Sequence, residues 1–183
     1  MRAQALIVAF SFCGLLEGLA GFGAPVAIAA AMVATLGLPK LKAAVVVMVG
    51  NAINVGFGAM AIPTTTAGQL GKQDPVTVAT AMGHLTWVFC AFIPLLLLFI
   101  LDGARGVKQL WPLAIVAGLA TGVGHFFTPS ISYELTAVLA SLLGLAASYI
   151  LLLVWTPTTP DEYRSQVAAD DAPDRERVIL ALL

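Results

Sequence analysis

Residues 17–25 read Glu-Gly-Leu-Ala-Gly-Phe-Gly-Ala-Pro and place one carboxylate, three glycines and a proline inside an otherwise apolar run. An acid at membrane depth costs at least about 2.5 kcal/mol to insert, so such an acid is a candidate for function. Glu17 could bind a proton and release it during transport. It could instead be a hydrogen-bonded acid that fixes the bend, and the sequence leaves both roles open.

A second unusual stretch combines glycines with two amides inside the next apolar run: Gly50, Asn51, Asn54, Gly56 and Gly58. These are poor helix formers, and residues 56–59 repeat the Gly-Phe-Gly-Ala sequence of residues 21–24. Neither copy is a phosphate-binding fingerprint, because no strand precedes it. Glycines alone could serve close helix packing. Together with the two asparagines they favour broken helices.

Broken helices suit the binding of an anion. The first turn of a helix has free N–H groups and roughly half a positive charge, and two such ends could hold a carboxylate without a buried cation, as in secondary transporters. The threonines after Pro63 could add hydroxyl donors or cap the helix, and both roles stay open. The predicted substrate site consists of Gly21, Phe22, Gly23, Asn51, Asn54, Gly56, Gly58, Thr64 and Thr65.

The remaining polar residues of the apolar runs are few. His84 is a second candidate for proton coupling, although a core histidine with satisfied hydrogen bonds is the commoner role for such a residue. His125 and Glu134 are expected near the membrane interface in contact with solvent. Cys13 and Cys90 match no disulfide framework or metal spacing, so they are interpreted as small core residues.

Composition indicates a membrane protein. The 183 residues are 60% hydrophobic and only 10% charged, with a mean hydropathy of +0.96, whereas soluble domains carry roughly 25% charged residues. The net charge of −1 argues against a nucleic-acid partner. Neither His-Glu-x-x-His nor Gly-x-Ser-x-Gly occurs, so an intramembrane enzyme is disfavoured, and no cofactor or metal is predicted. A non-transporting membrane scaffold remains an alternative.

The predicted fold is an all-α, polytopic membrane protein with a re-entrant hairpin and a broken helix. Residues 3–37 are too long for one span and short for two, so they are predicted to form the hairpin. Residues 43–62 form a broken span, and three further spans cover residues 77–101, 111–127 and 133–155. Residues 156–177 are predicted as a cytoplasmic loop, and residues 178–183 as the start of a truncated span in a longer protein.

This topology divides the positive charges unequally between the two sides of the membrane. It leaves only Lys72 on one side, and the other side is therefore predicted to be cytoplasmic. The residues on that side are Arg2, Lys40, Lys42, Arg105, Lys108, Arg164, Arg175 and Arg177.

Residues 12–63 resemble the L-lactate permease family of bacterial organic-anion carriers. The resemblance is carried by Leu-Glu-Gly-Leu-Ala-Gly-Phe-Gly-Ala-Pro-Val-Ala-Ile at residues 16–28, Leu-Lys-Ala-Ala at residues 41–44, Gly50-Asn51, Phe57-Gly58-Ala59 and Ile62-Pro63. It implies proton-coupled symport of L-lactate, glycolate or a similar 2-hydroxy monocarboxylate across the bacterial inner membrane. A different organic anion is an alternative. The implied partners are that anion, a proton, lipid and the rest of a longer transporter chain; a homo-oligomer is possible.

Overall fold

A computed structural model describes residues 2–155, and all of the regular structure in this part of the chain is helical. We label the helices α1 (Arg2–Leu19), α2 (Ala24–Thr35), α3 (Lys40–Asn51), α4 (Gly58–Gly71), α5 (Pro75–Phe127) and α6 (Thr136–Val154). Residues 8–12 of α1 form a π-helical turn, and short 3-10 turns cover Val55–Phe57 and Thr128–Ser130. The predicted loop 156–177 and the segment 178–183 lie outside the described residues.

The helices have the length and composition of a polytopic membrane protein. Arg2–Leu19, Pro75–Ser130 and Thr136–Val154 are each long and apolar enough to cross a bilayer. Lys40–Asn51 and Val55–Gly71 meet at 63° and would together make a further, broken span. Large apolar side chains such as Phe89, Phe92 and Leu153 face outward, as expected for surfaces in contact with lipid. The predicted all-α membrane class is confirmed.

Helix α5 is a hairpin rather than one rod. Its right-handed geometry fails at Asp102 and at Gly103, which has φ 59° and ψ −153°, a conformation that essentially only glycine adopts. The arms of residues 75–101 and 104–127 then run antiparallel: Gly122 lies against the Trp87 carbonyl, and Gly83 packs against the His125 carbonyl. Each arm exceeds the roughly 20 residues of a spanning helix.

Helices α1 and α2 also form a hairpin, with its turn at residues 20–23. The buried core side chains of α1, among them Ala5, Leu6 and Ala9, share one apolar cluster with Ala29 and Val33 of α2. The two arms are unequal. At about 1.5 Å per residue, the 18 residues of α1 extend for about 27 Å and the 12 residues of α2 for about 18 Å.

Polar contacts gather at one end of the bundle. Arg2 forms a salt bridge with Asp102, and its Nη2 donates to Gln109 Oε1 at 2.6 Å. Lys42 Nζ donates to the Leu101 carbonyl at 2.8 Å. The starts of α1 and α3 are therefore bound to the turn of α5, while Lys72 follows α4 at the opposite end of α5.

The crossing of α1 over α3 depends on a glycine. A Cβ at Gly50 would collide with the backbone carbonyl of Ala9, which cannot move aside as a side chain can. We expect Gly50→Ala to lower the free energy of unfolding by about 1–3 kcal/mol, the usual cost of overpacking. Gly71→Ala is the control, because its Cβ would meet only Gln73 Cγ at 3.9 Å. Thermal unfolding in detergent measures the difference. Equal unfolding midpoints for the two variants would contradict the close packing of Gly50 against Ala9.

Candidate functional site

Two chain breaks meet at the centre of the candidate site. Gly21, Phe22 and Gly23 all have left-handed backbone, with φ of 60°, 53° and 82°. A right-handed helix cannot continue through them, so α2 starts anew at Ala24 with Pro25 in its first turn. Proline is tolerated there because its missing N–H would have no helical partner.

The second break has the same left-handed backbone, but at residues other than glycine. Ala59, Met60 and Ala61 have φ of 46°, 57° and 60°, and the right-handed part of α4 begins only after them, with Pro63 in its first turn. Left-handed backbone at residues other than glycine costs roughly 1–2 kcal/mol each, and such strain clusters at functional sites. The sequence predicted this break at the glycines; the left-handed residues are the three that follow Gly58.

The two breaks are in direct contact. A Cβ on Gly21 would lie 2.7 Å from Ala59 Cβ and 2.8 Å from Ala59 N, so only glycine fits there. The starts of α2 and of the right-handed part of α4 consequently border one cavity of about 240 Å³. Its lining residues are Glu17, Phe22, Gly23, Asn51, Val55, Gly58, Ala59 and Pro63.

Glu17 is the only acidic side chain that the structure buries within residues 2–155, with 3% of its surface exposed. Its Oε2 accepts a hydrogen bond of 3.0 Å from Asn51 Nδ2. Asn51 Oδ1 in turn accepts one of 3.3 Å from Cys13 Sγ. Glu17 Oε1 lies beside Gly58, where an added Cβ would be only 2.6 Å away. One carboxyl oxygen is thus fixed by Asn51, and the other rests against the second break.

Five of the predicted site residues line this cavity: Glu17, Phe22, Gly23, Asn51 and Gly58. Gly21 lies just behind them, against Ala59. Val55, Ala59 and Pro63 complete the lining and were not predicted. The repeated Gly-Phe-Gly-Ala sequence placed Ala59 beside a predicted break, but Ala24, the residue with which it aligns Ala59, does not line the cavity.

Four other predicted residues support the second break or point elsewhere. Thr64 Oγ1 donates to the Gly56 carbonyl at 2.6 Å and so bridges the break, and Thr65 Oγ1 donates to the Ala61 carbonyl at 3.0 Å. Gly56 packs against the end of Met82. Asn54 is buried, but its amide faces Gly14 of α1 rather than the cavity.

The histidines differ from expectation. His84 is exposed on the outer face of α5 and stacks on Phe126 at a centroid distance of 4.3 Å, so the expectation of a core histidine is wrong. The structure does not bring His84 to Glu17. His125, expected in solvent at the interface, is fully buried, with Nδ1 3.1 Å from the Thr121 carbonyl. The reason is that α6 packs closely over this end of α5, where Gly124 contacts Ala140.

The fold and this site define a class: a polytopic helical membrane protein in which two broken helices and a buried acid share one cavity. A model of the L-lactate permease family matches residues 1–179. The chain belongs to the L-lactate permease family, as the resemblance of its motifs predicted. No solved structure matches the chain.

Two curated relatives illustrate the similarity. The chain is 40% identical to glycolate permease GlcA of Escherichia coli K12 over 157 residues, which cover 85% of this chain and 28% of the relative. It is 38% identical to the L-lactate permease of Bacillus subtilis 168 over 159 residues, 86% of this chain and 28% of that protein. The chain therefore spans just over a quarter of the length of these relatives.

The contact between Glu17 and Gly58 predicts the effect of one added methyl group. In Gly58→Ala the new Cβ would press on Glu17 Oε1, so the carboxyl group must rotate and lose its bond to Asn51. A hydrogen bond to a charged group contributes about 1.5–3 kcal/mol, so we expect whatever solute uptake the full-length protein shows to fall roughly tenfold to a hundredfold per folded molecule.

Gly56→Ala is the matched control, because its Cβ would meet only the flexible end of Met82, which can move. Uptake into cells, normalised to the amount of monodisperse protein, compares the two variants. Full activity in Gly58→Ala would mean that the position of Glu17 is unimportant.

Proposed function

We propose that this chain forms part of the transport domain of a proton-coupled carrier of L-lactate, glycolate or a similar short 2-hydroxy monocarboxylate. One observation carries the proposal: Glu17, the sole buried acid of the described region, lines the same cavity as two interrupted helix starts. The relatives are a glycolate permease and an L-lactate permease, and their names supply the substrate class.

The cavity suits a small anion. The first turn of α2 and that of the right-handed part of α4 provide free N–H groups and partial positive charge. Within residues 2–155, no lysine or arginine lines the cavity. Its volume of about 240 Å³ lies below the range of roughly 300–1,000 Å³ of sites for drug-sized ligands. A monocarboxylate of a few heavy atoms fits this combination of size and charge.

Glu17 couples the proton to the anion through electrostatics. An ionised Glu17 would repel a carboxylate bound in the same cavity and would compete with it for the helix N-termini. A neutral Glu17 removes both effects, so the anion binds more tightly to the protonated protein. Because linkage is reciprocal, bound anion also favours proton uptake by Glu17, and the two solutes cross together as a neutral pair.

Asn51 is proposed as the residue that keeps Glu17 in position in both states. As a hydrogen-bond donor it satisfies the ionised carboxylate, and it can still donate to the carbonyl oxygen of the neutral acid. Cys13 Sγ donates to the side-chain oxygen Oδ1 of Asn51 and so extends this hydrogen-bond network. The carboxyl group can therefore change charge without losing its place beside Gly58.

The bundle is proposed to lie in the bacterial cytoplasmic membrane with the Arg2–Asp102 end inside, because that end carries most of the positive charges. The α1–α2 hairpin then enters from the cytoplasm and returns to it, with its turn at the level of the cavity. A carrier of a different organic anion is the alternative. A scaffold without transport is disfavoured, because it has no use for a buried carboxyl group beside two strained chain breaks.

Removal of the charge on Glu17 separates binding from coupling. We expect Glu17→Gln to keep exchange of labelled L-lactate across proteoliposomes, because glutamine resembles the neutral acid, and to lose accumulation driven by an inward proton gradient. The apparent affinity of Glu17→Gln for L-lactate should not depend on pH, whereas the affinity of the unmodified protein should fall as the pH rises. Glu134→Gln is the control, because Glu134 lies in the loop before α6 and accepts a bond only from Ser132 among the described contacts.

Pairs of measurements distinguish the outcomes. Retained exchange with lost accumulation supports the coupling role. Undiminished accumulation by Glu17→Gln would refute it, and loss of both activities in a well-folded variant would make Glu17 a binding or structural residue instead.

The size of the cavity also predicts a substrate range. Glycolate and L-lactate should compete with each other for uptake, whereas a tricarboxylate such as citrate should not, since it brings additional negative charge and volume into the site. Competition against labelled L-lactate at constant pH measures this, and effective inhibition by citrate would favour the alternative of a different anion.

A further inference from the structure

The turn of the α1–α2 hairpin is open on one side. Phe22 is 83% exposed, and Gly23 beside it is exposed as well. A Cβ added at Gly23 would meet nothing within 4 Å, whereas the other side of the turn is closed by the contact between Gly21 and Ala59. The turn therefore presents its backbone and a large aromatic ring to whatever surrounds residues 2–155.

The backbone of this turn has unused hydrogen-bond donors. Within residues 2–155, the N–H groups of Gly21, Phe22 and Gly23 donate to no acceptor. The nearest bond of α2 back to the turn runs from Ala27 N to the Gly23 carbonyl at 3.4 Å. Lipid cannot satisfy such N–H groups, so irregular backbone at membrane depth is tolerated only within protein or beside water.

The turn lies near the middle of the membrane. Helix α3 starts close to Lys42 and reaches the second break after 12 residues, which extend for about 18 Å. The right-handed part of α4, residues 62–71, continues for about 15 Å toward Lys72 at the opposite end. The second break is thus roughly halfway through a hydrocarbon core of about 30 Å. The contact between Gly21 and Ala59 places the hairpin turn at the same depth.

Apolar side chains surround the unused donors. Leu19, Val55, Met60 and Ile62 are each between 43% and 55% exposed, and all four belong to the two breaks or lie next to them. Water around this surface would leave the apolar groups unfavourably hydrated, and lipid would leave the N–H groups unpaired. Only protein offers apolar side chains and hydrogen-bond acceptors together.

We infer that this surface, here called the tip face, docks against further helices of the same polypeptide chain. The tip face consists of Leu19, Phe22, Gly23, Val55, Met60 and Ile62. The two relatives described above have enough additional chain, because the matched residues cover only 28% of each. A segment of the same chain is favoured over a second copy, because the N–H groups need cover at any protein concentration and a tethered segment is always at hand.

The docked helices must bring two kinds of group. Their apolar side chains pack on Phe22, and their carbonyl, hydroxyl or carboxylate oxygens accept hydrogen bonds from the turn. Because Phe22, Gly23 and Val55 also line the cavity at Glu17, docking completes the wall of that cavity. The inference rests on the burial and hydrogen bonding of the turn and depends neither on proton coupling nor on the identity of the solute.

Photo-crosslinking in the full-length protein identifies what covers the tip face. p-Benzoylphenylalanine in place of Phe22 keeps an aromatic ring there and, on irradiation, inserts into C–H bonds that its ketone touches. In liposomes of phosphatidylethanolamine and phosphatidylglycerol, we expect a crosslink within one chain to a peptide outside residues 1–183, mapped by mass spectrometry. The same replacement at Phe92, which is 64% exposed on a regular stretch of α5, is the matched control and should capture lipid.

The other products of this experiment contradict the inference. A lipid adduct at position 22 would show that the turn faces the bilayer, and the absence of any adduct would show that water surrounds it. Either result would overturn the docking. A crosslinked dimer would overturn the choice of occupant in favour of a second copy.

A spin label at Leu19 gives a second measurement that does not alter the turn. Leu19→Cys is made in a full-length chain whose native cysteines are replaced by alanine, with Phe92→Cys as the control. Collisions with O₂ report lipid, and collisions with a water-soluble nickel chelate report water. We expect both to be rare at Leu19 and O₂ collisions to be frequent at Phe92; frequent collisions of either kind at Leu19 would overturn the docking. The Glu17→Gln transport experiment tests the proposed function separately, so the two can fail independently.

Discussion

The interior of a bilayer offers no water to an unpaired backbone group, and this constraint governs the arrangement of the whole chain. Two helices are interrupted inside the apolar part of the bundle, which frees N–H and carbonyl groups at both interruptions. The structure brings the two interruptions together at Gly21 and Ala59, so that each is covered by protein. Thr64 satisfies one of the freed carbonyls, that of Gly56. Phe22, Gly23, Gly58 and Ala59, which belong to the two interruptions, border the cavity.

This arrangement places opposing electrostatic influences on Glu17. It belongs to the last turn of α1, where the helix dipole disfavours a negative charge, and it also lies close to the starts of α2 and of the right-handed part of α4, where a negative charge is favoured. Asn51 Nδ2 donates a hydrogen bond of 3.0 Å to one of the carboxyl oxygens of Glu17.

Residue types and spacing predicted the parts of the site that depend on local chemistry. A buried acid, two asparagines and repeated glycines identified Glu17, Asn51 and both chain breaks. Tertiary packing determined the rest. Nothing local marks Ala59 as left-handed, because alanine normally avoids that conformation, and nothing local shows that α6 covers His125. His84 is a histidine like His125, but it lies on the outward face of its helix. The periodicity of the sequence could not show which face of this helix points outward, because the run is apolar on all sides.

Among the described residues, no lysine or arginine lines this cavity, and this bears on the proposed role as a carrier. A fixed cation in a medium of low dielectric would hold a carboxylate strongly and would release it slowly. Two helix N-termini supply roughly half a charge each, enough to replace part of the lost hydration without trapping the anion. In the proposed mechanism, release depends on Glu17: once its proton leaves, the new negative charge opposes the bound anion. On that proposal, an acid beside partial positive charges gives both capture and release of the anion, whereas an arginine would give only capture.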